Sequence, residues 1–320
     1  MEKTPDLKKE KFLNKIQEIY PDRYSSIEKY LYFQRPITFR INKLKLGNNS
    51  SEQIIDNLRK QNFEINNGPV KDSYICYSKN IKLSETEEFN NGLIYIQNLS
   101  SMLPAGYMDL KPGQNILDMC ASPGSKTSQI ASELNDKCFI TAVENNKNRF
   151  YVLKKNLENL GVHGVNALHT NSITLPLKYP DFVNSFDRIL LDVPCSNEGP
   201  VDLTDPKSLE KWNPKTAARL SKLQRTLLFS GVSLLKPGGL LLYSTCTYSI
   251  EENEKVIDWA VKKFTNLQVQ SINIQLGNVV GGFIEWKDSI FNKELAQTVR
   301  ILPTEVFTGF YIALLKKIID

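Results

Sequence analysis

The chain has 320 residues, 41% hydrophobic and 23% charged, with a formal net charge of +5. That length implies about two domains, and the composition excludes disordered and fibrous classes. The mild basicity permits a nucleic-acid partner without requiring one. Two histidines, His163 and His169, exclude a His-rich metal centre. Five cysteines, an odd number with no C-x-x-C pair, support neither a disulfide scaffold nor a four-cysteine zinc site. No metal is expected, and the thiols are expected to be reduced, in a cytoplasmic compartment. Met1 to Phe12 alternates charges without an apolar run, so no signal peptide is expected. No apolar stretch approaches the ~20 residues of a membrane span.

One or two helices are expected within residues 6–33. Pro36 to Asn42 alternates like a half-buried strand, and Ser51 opens a helix with Ile54, Ile55 and Leu58 on one face. Short strands are expected at Phe63–Ile65, Tyr74–Tyr77 and Leu93–Gln97. Residues 1–108 therefore read as a small α+β domain. From residue 109 to 320, strand and helix patterns alternate. Strands are expected at Ile116–Cys120, Cys138–Glu144, Asn166–Asn171, Phe186–Val193 and Gly239–Cys246. Helices are expected at Lys126–Leu134, Lys147–Leu160, Thr216–Leu235 and Ser249–Phe264. The strands are near-continuous apolar runs, which suits a parallel sheet covered on both faces. Strands at Leu267–Ile274 and Gly309–Leu315, separated by a long irregular segment, would close the sheet antiparallel. The fold class is α/β, a Rossmann-like doubly wound sheet with a small α+β N-terminal domain.

In such sheets the ligand sits at the carboxyl ends of the strands. Cys120, Glu144, Asn171, Asp192 to Cys195 and Thr245 to Thr247 all fall there. Asp118-Met119-Cys120-Ala121-Ser122-Pro123-Gly124-Ser125-Lys126-Thr127 reads as strand, tight turn and helix start, a place where N–H groups receive a carboxylate or phosphate. It is not a phosphate-binding loop of the NTPase kind, because Cys120 and Ser125 stand where glycines are required. Glu144 suits ribose hydroxyls, and loop and acid together point to an adenosine-containing ligand. Leu191-Asp192-Val193-Pro194-Cys195-Ser196-Asn197-Glu198-Gly199 sets a carboxylate and a thiol on one rim. Tyr243-Ser244-Thr245-Cys246-Thr247-Tyr248 ends another buried strand on a thiol. A buried cysteine is usually a small hydrophobe, but two at neighbouring strand ends suit covalent attack on a substrate.

These motifs resemble the Sun-type RNA cytosine-5 methyltransferases, which use S-adenosylmethionine. Gln97 to Met102, Gln224-Arg225, Pro237-Gly238-Gly239, Arg300 to Pro303 and Gly309-Phe310 also fit. The resemblance implies that Cys246 adds to C6 of cytosine and Cys195 helps remove the C5 proton and release Cys246. It implies that Asp192 binds the cytosine edge and Lys126 organises the site. Cys120, Ala121, Ser122, Pro123, Gly124, Ser125 and Lys126 would cradle the cofactor, with Glu144 at the ribose, Asn171 at the adenine, and Arg149 and Asp192 also at the cofactor. The chain departs from the family pattern with Ser122 and Ser125 for Ala and Gly, Asn171 for Asp, and Asn197 for Gly. The chemistry agrees, since cytosine C5 is a poor nucleophile until C6 is attacked, and the base must leave its stack.

Residues 29–46 carry five basic groups, including Arg35, Arg40, Lys43 and Lys45, no acidic ones, and interleaved Tyr30, Tyr32, Phe33 and Phe39. That mixture suits single-stranded RNA, and the resemblance implies an RNA-recognition-like domain here. Cys76, Cys138 and Trp212 are expected to be packing residues. The reading is a monomeric cytosine-5 methyltransferase acting on rRNA or tRNA. The alternatives are an RNA-binding assembly factor that retains the fold and, less compatible with two remote histidines, a cysteine-dependent hydrolase.

Overall fold

The computed structural model describes residues 4–319. In chain order the elements are α1 (Thr4–Ile19), α2 (Tyr24–Leu31), β1 (Ile37–Ile41), α3 (Ser51–Lys60), β2 (Ile65–Asn67), β3 (Ser73–Cys76), α4 (Glu87–Asn90), β4 (Ile94–Ile96), α5 (Leu99–Gly106), β5 (Asn115–Asp118), α6 (Ser125–Glu133), β6 (Phe139–Glu144), α7 (Lys147–Asn159) and β7 (Val165–His169). There follow α8 (Leu175–Lys178), β8 (Phe186–Asp192), α9 (Thr216–Leu234), β9 (Leu235–Thr245), α10 (Glu254–Lys263), β10 (Leu267–Gln270), β11 (Val279–Gly281), β12 (Glu285–Trp286), β13 (Ser289–Ile290), β14 (Val299–Ile301) and β15 (Phe310–Lys317).

The chain forms two compact units. One unit is Pro36–Asp192 with Ser230–Leu242. The other holds the described part of Met1–Arg35 with Val193–Phe229 and Tyr243–Asp320. The chain passes between them ahead of β1, at the end of β8, within α9 and within β9.

The first unit contains two sheets. A four-stranded antiparallel sheet has the order β2-β3-β1-β4, with Phe39 opposite Tyr74 and Arg40 opposite Tyr95. Its core joins Phe39, Ile41, Phe63 and Ile65 to Ile54, Ile55 and Leu58 of α3. Ser50, not Ser51, caps that helix, in a capping box with Gln53. The second sheet has the order β9-β8-β5-β6-β7, and the β8–β5, β5–β6 and β6–β7 pairs are parallel. The apolar stripe of α7 faces inward through Leu153 and Leu157. β9 starts four residues earlier than expected, running through Pro237-Gly238-Gly239.

In the second unit, β10 and β14 flank β15, both antiparallel to it, and β11 lies beyond β14. The segment expected to be irregular thus contains β11, β14 and the β12–β13 ribbon. These strands have two or three residues each, too short for a period to register. Residues 250–253 form a turn ahead of α10, which begins at Glu254. Cys76, Cys138 and Trp212 are buried. Among the described residues, no helix is long and apolar enough to cross a membrane, and no cluster of His, Cys, Asp and Glu is arranged to hold a metal ion.

Candidate active site

In the first unit, a cradle forms at the carboxyl ends of β5, β6 and β7. β5 ends at Asp118, and the turn to α6 passes through Gly124 at a φ of 103°. That conformation favours glycine, and a Cβ there would press on Leu153 Cδ1 at 3.1 Å. α6 begins with no side-chain cap, so its first-turn N–H groups are available to an anion. Ser122 Oγ donates to the Arg149 carbonyl at 2.8 Å, and Arg149 Nη2 donates to the Ser122 carbonyl at 2.7 Å. The hydroxyl that departs from the family pattern therefore anchors the loop.

Glu144, at the end of β6, is buried. Its Oε1 accepts from Asn146 N–H at 2.8 Å, while its Oε2 lies 3.6 Å from Arg149 Nε. Asn171 is half-buried just past β7, and its Oδ1 accepts from Ile173 N–H at 3.0 Å. Asp118 accepts from Thr127 Oγ at 2.7 Å on Oδ2. Burial, opposed by that hydrogen bond, pushes its carboxyl up to about 6. Burial also pushes the Cys120 thiol well above its ordinary value, which disfavours its thiolate. Lys126 is buried, and its Nζ reaches Asp192 Oδ2 and Ser101 Oγ, both at 2.6 Å.

In the second unit, Cys195 and Cys246 meet, their Sγ atoms 3.0 Å apart. Each follows the end of a strand. Cys246 N–H points at Cys195 Sγ at 3.4 Å, and Cys246 Sγ donates to Asn197 Oδ1 at 3.1 Å. Gly199 N–H donates to the Cys246 carbonyl at 2.8 Å. A Cβ on Gly199 would overlap the Gly309 carbonyl oxygen, so glycine is required for this approach. The hydrogen bond to Cys246, burial and nearby Glu252 push the Cys195 thiol well above its ordinary value.

Two carboxylates lie beneath these loops, Glu198 and Glu252, both fully buried. Glu198 pairs with Lys15 at 2.6 Å and accepts from Trp212 Nε1 at 3.0 Å and Thr247 Oγ at 2.8 Å. Burial pushes its carboxyl up, but Lys15 and these donors outweigh that and leave it low. Glu252 accepts from Ser196 N–H at 3.0 Å, from Ser196 Oγ, and from Gln224 Nε2 at 2.9 Å. Gln224 Nε2 also donates to the Pro194 carbonyl at 2.9 Å. Neither glutamate stands out in the sequence. Glu198 sits inside a motif, but Glu252 lies in the run Glu251-Glu252-Asn253-Glu254, where nothing distinguishes it from a solvated acid.

The basic residues expected to meet RNA differ in their burial. Arg40, expected on an exposed basic face, is 3% exposed. Its guanidinium donates to Gln97 Oε1 at 2.9 Å, the Ser125 carbonyl at 3.1 Å and Ser128 Oγ at 2.8 Å, so it ties β1 to α6 and is not presented to RNA. Phe39 is core and stacks on Tyr74. Arg35 is half-buried and holds the carbonyls of Tyr30, Thr304 and Phe307. Lys43 pairs with Asp72 at 2.6 Å, while Lys45 is exposed with no ionic partner among the described residues. Tyr32 is exposed beneath Lys9, 4.8 Å from its ring centre.

A doubly wound sheet with these strand-end groups is the fold of a methyltransferase. A methyltransferase homologue from Pyrococcus horikoshii has a similar structure, with a TM-score of 0.81 and 31% identity over 95% of this chain and 94% of that one. The family model for 16S rRNA methyltransferase RsmB/F matches residues 105–316. The chain is 33% identical over 318 residues to the tRNA (cytosine(49)-C(5))-methyltransferase of Pyrococcus abyssi, covering 97% of this chain and 98% of that protein. It is 33% identical to the mouse 28S rRNA (cytosine-C(5))-methyltransferase over 95% of this chain, and 34% identical to ribosomal RNA small subunit methyltransferase F of Aliivibrio salmonicida over 79% of it. The chain spans 38% and 54% of those two relatives. It belongs to the RsmB/F family of RNA methyltransferases, which use S-adenosylmethionine.

Proposed function

We propose that this protein methylates C5 of cytosine in rRNA or tRNA through a covalent intermediate on Cys246. The observation that carries this reading is the contact of the two thiols, 3.0 Å apart, in loops that follow two strand ends. The cradle fits S-adenosylmethionine in the character of its groups. The uncapped start of α6 suits the methionine carboxylate, buried Glu144 the ribose diol, and Asn171 the adenine. Bound there, S-adenosylmethionine supplies the methyl group as a sulfonium electrophile.

The residues of the chain do the rest. Cys246 Sγ bonds to C6 of the flipped cytosine, which turns C5 into an enamine-like nucleophile. Asp192, oriented by Lys126, accepts a hydrogen bond from the N4–H of the cytosine edge and so holds the base for attack. Cys195 takes the C5 proton, the C6–S bond breaks, and Cys246 leaves as thiolate. The antiparallel sheet within residues 1–108 serves as an RNA-recognition-like module, with Lys45 reaching phosphate. The setting is a cytoplasmic monomer.

The test is methylation of rRNA and tRNA fractions with labelled cofactor, followed by nucleoside analysis. Wild type is expected to give 5-methylcytosine, and Cys246→Ala to lose at least about 1000-fold in rate. Equal labelling by both would overturn the assignment. RNA binding without any labelling would favour the assembly-factor reading.

A further inference from the structure

Glu252 is a fully buried carboxylate. Among the described residues, no lysine or arginine lies within ion-pairing distance of it. Its oxygens instead meet three neutral donors, Ser196 N–H, Ser196 Oγ–H and Gln224 Nε2–H. Two of these belong to the residue after Cys195, and the third also holds the carbonyl before it. The carboxylate therefore clamps both sides of Cys195. The other charged groups facing these loops are compensated. Glu198 is neutralised by Lys15 of α1, and Glu254 of α10 pairs with Arg300 of β14. Arg225 of α9 points to the Lys255 carbonyl, and the buried Tyr248 phenol stays protonated. Burial pushes the Glu252 carboxyl up while the hydrogen bonds from Ser196 and Gln224 hold it down; its negative charge has no paired cation among the described residues and lies on the Cys195 side of the thiol pair.

We propose that Glu252 is a positioning residue for the reaction, clamping the Cys195 loop and using its uncompensated charge to keep a proton on Cys195, so that Cys246 is the sulfur that ionises. This rests on the reading of Cys246 as nucleophile. A carboxylate disfavours a second negative charge beside it, and the nearer thiol feels this more. The thiol of Cys195, 3.0 Å away, then donates to the Cys246 thiolate. Loop geometry and proton location are thus set by one group. Once Cys246 is bonded to C6 and carries no charge, Cys195 passes its proton to solvent and, as the thiolate, takes the C5 proton.

The test is alkylation of the full chain with iodoacetamide from pH 6 to pH 9, with modification at each cysteine read by peptide mass spectrometry. It needs neither RNA nor cofactor, so its failure is distinguishable from failure of the methyl-transfer reading. Wild type is expected to react about tenfold faster at Cys246 than at Cys195. Glu252→Gln, which removes the charge and keeps the size, is expected to lower that ratio about tenfold. Ser196→Ala and Glu252→Asp retain the charge and are expected to retain the preference. An unchanged ratio in folded Glu252→Gln would overturn the proposal. Should that variant not fold, the wild-type profile decides: Cys195 gaining reactivity first as pH rises overturns the proposal, and Cys246 gaining it first supports it.

Discussion

Lys126 Nζ lies 2.6 Å from both Asp192 Oδ2 and Ser101 Oγ, so one ammonium joins the first turn of α6, the end of β8 and α5. Lys126 is buried and Asp192 is only partly so. Removing the lysine leaves a carboxylate without its main partner in a partly dry place. Lys126→Met is expected to lower stability by about 2 kcal/mol. It is expected to slow methyl transfer about 100-fold, because Asp192 loses its orientation. Thermal melts and single-turnover rates measure the two effects separately. A loss of stability with no loss of rate would reduce Lys126 to a structural residue.

Asp118 titrates in the wrong direction for stability at neutral pH. Its carboxyl rises from 3.8 to about 6 on folding, chiefly through burial. An acid raised in this way contributes most to stability below its unfolded value and loses that contribution as pH rises through its folded value. The rise corresponds to about 3 kcal/mol of destabilisation at pH 8 relative to pH 3. Asp118→Asn is therefore expected to resist urea better than wild type at pH 8, with the gap closing between pH 6 and pH 4. A gap that does not depend on pH would contradict this.

Arg40 is a buried tie between β1 and α6, still charged although burial lowers it to about 10. Arg40→Met is expected to cost about 3 kcal/mol in urea unfolding, since it strands Gln97 and Ser128. RNA affinity, measured where the variant is folded, is expected to stay within about twofold, with the same salt slope. Lys45→Glu is expected to weaken RNA binding about threefold and to flatten that slope. The reverse pattern would return Arg40 to the RNA surface.

Gly199 brings the Cys195 loop against the Gly309 backbone, the Gly309 N–H pointing at the Gly199 carbonyl at 3.3 Å. Gly199→Ala forces one backbone to move. The expected cost is about 2 kcal/mol in stability and a loss of about 100-fold in rate, since a shift of about 1 Å at a reacting group has that effect. Circular dichroism and single-turnover assays test this together, and a folded variant with wild-type rate would show the contact to be slack.

The sequence carries the α/β sheet clearly because its strands are long apolar runs separated by helices with a clear 3.6-residue period. Glu144, Asp192 and Thr245 fall at strand ends as the motifs imply, since each closes such a run. The division of the chain was not legible. Residues 1–35 group with the C-terminal segments through contacts such as Lys15 with Glu198, which lie far apart in sequence. Charge also misled. Arg40 alternates with apolar neighbours like an exposed residue, yet its side of β1 meets α6. Glu252 was invisible for the opposite reason, since burial of two of the three acids in its run, Glu252 and Glu254, depends on how α10 begins.

Trapping of the covalent intermediate tests the central claim most directly. Cys195→Ala, incubated with cofactor and substrate RNA and run on a denaturing gel, is expected to accumulate a protein–RNA adduct, with mass spectrometry placing cytosine on Cys246. The double variant Cys195→Ala/Cys246→Ala is expected to give none. An adduct that survives loss of Cys246, or rapid turnover by Cys195→Ala with no adduct, would contradict the account.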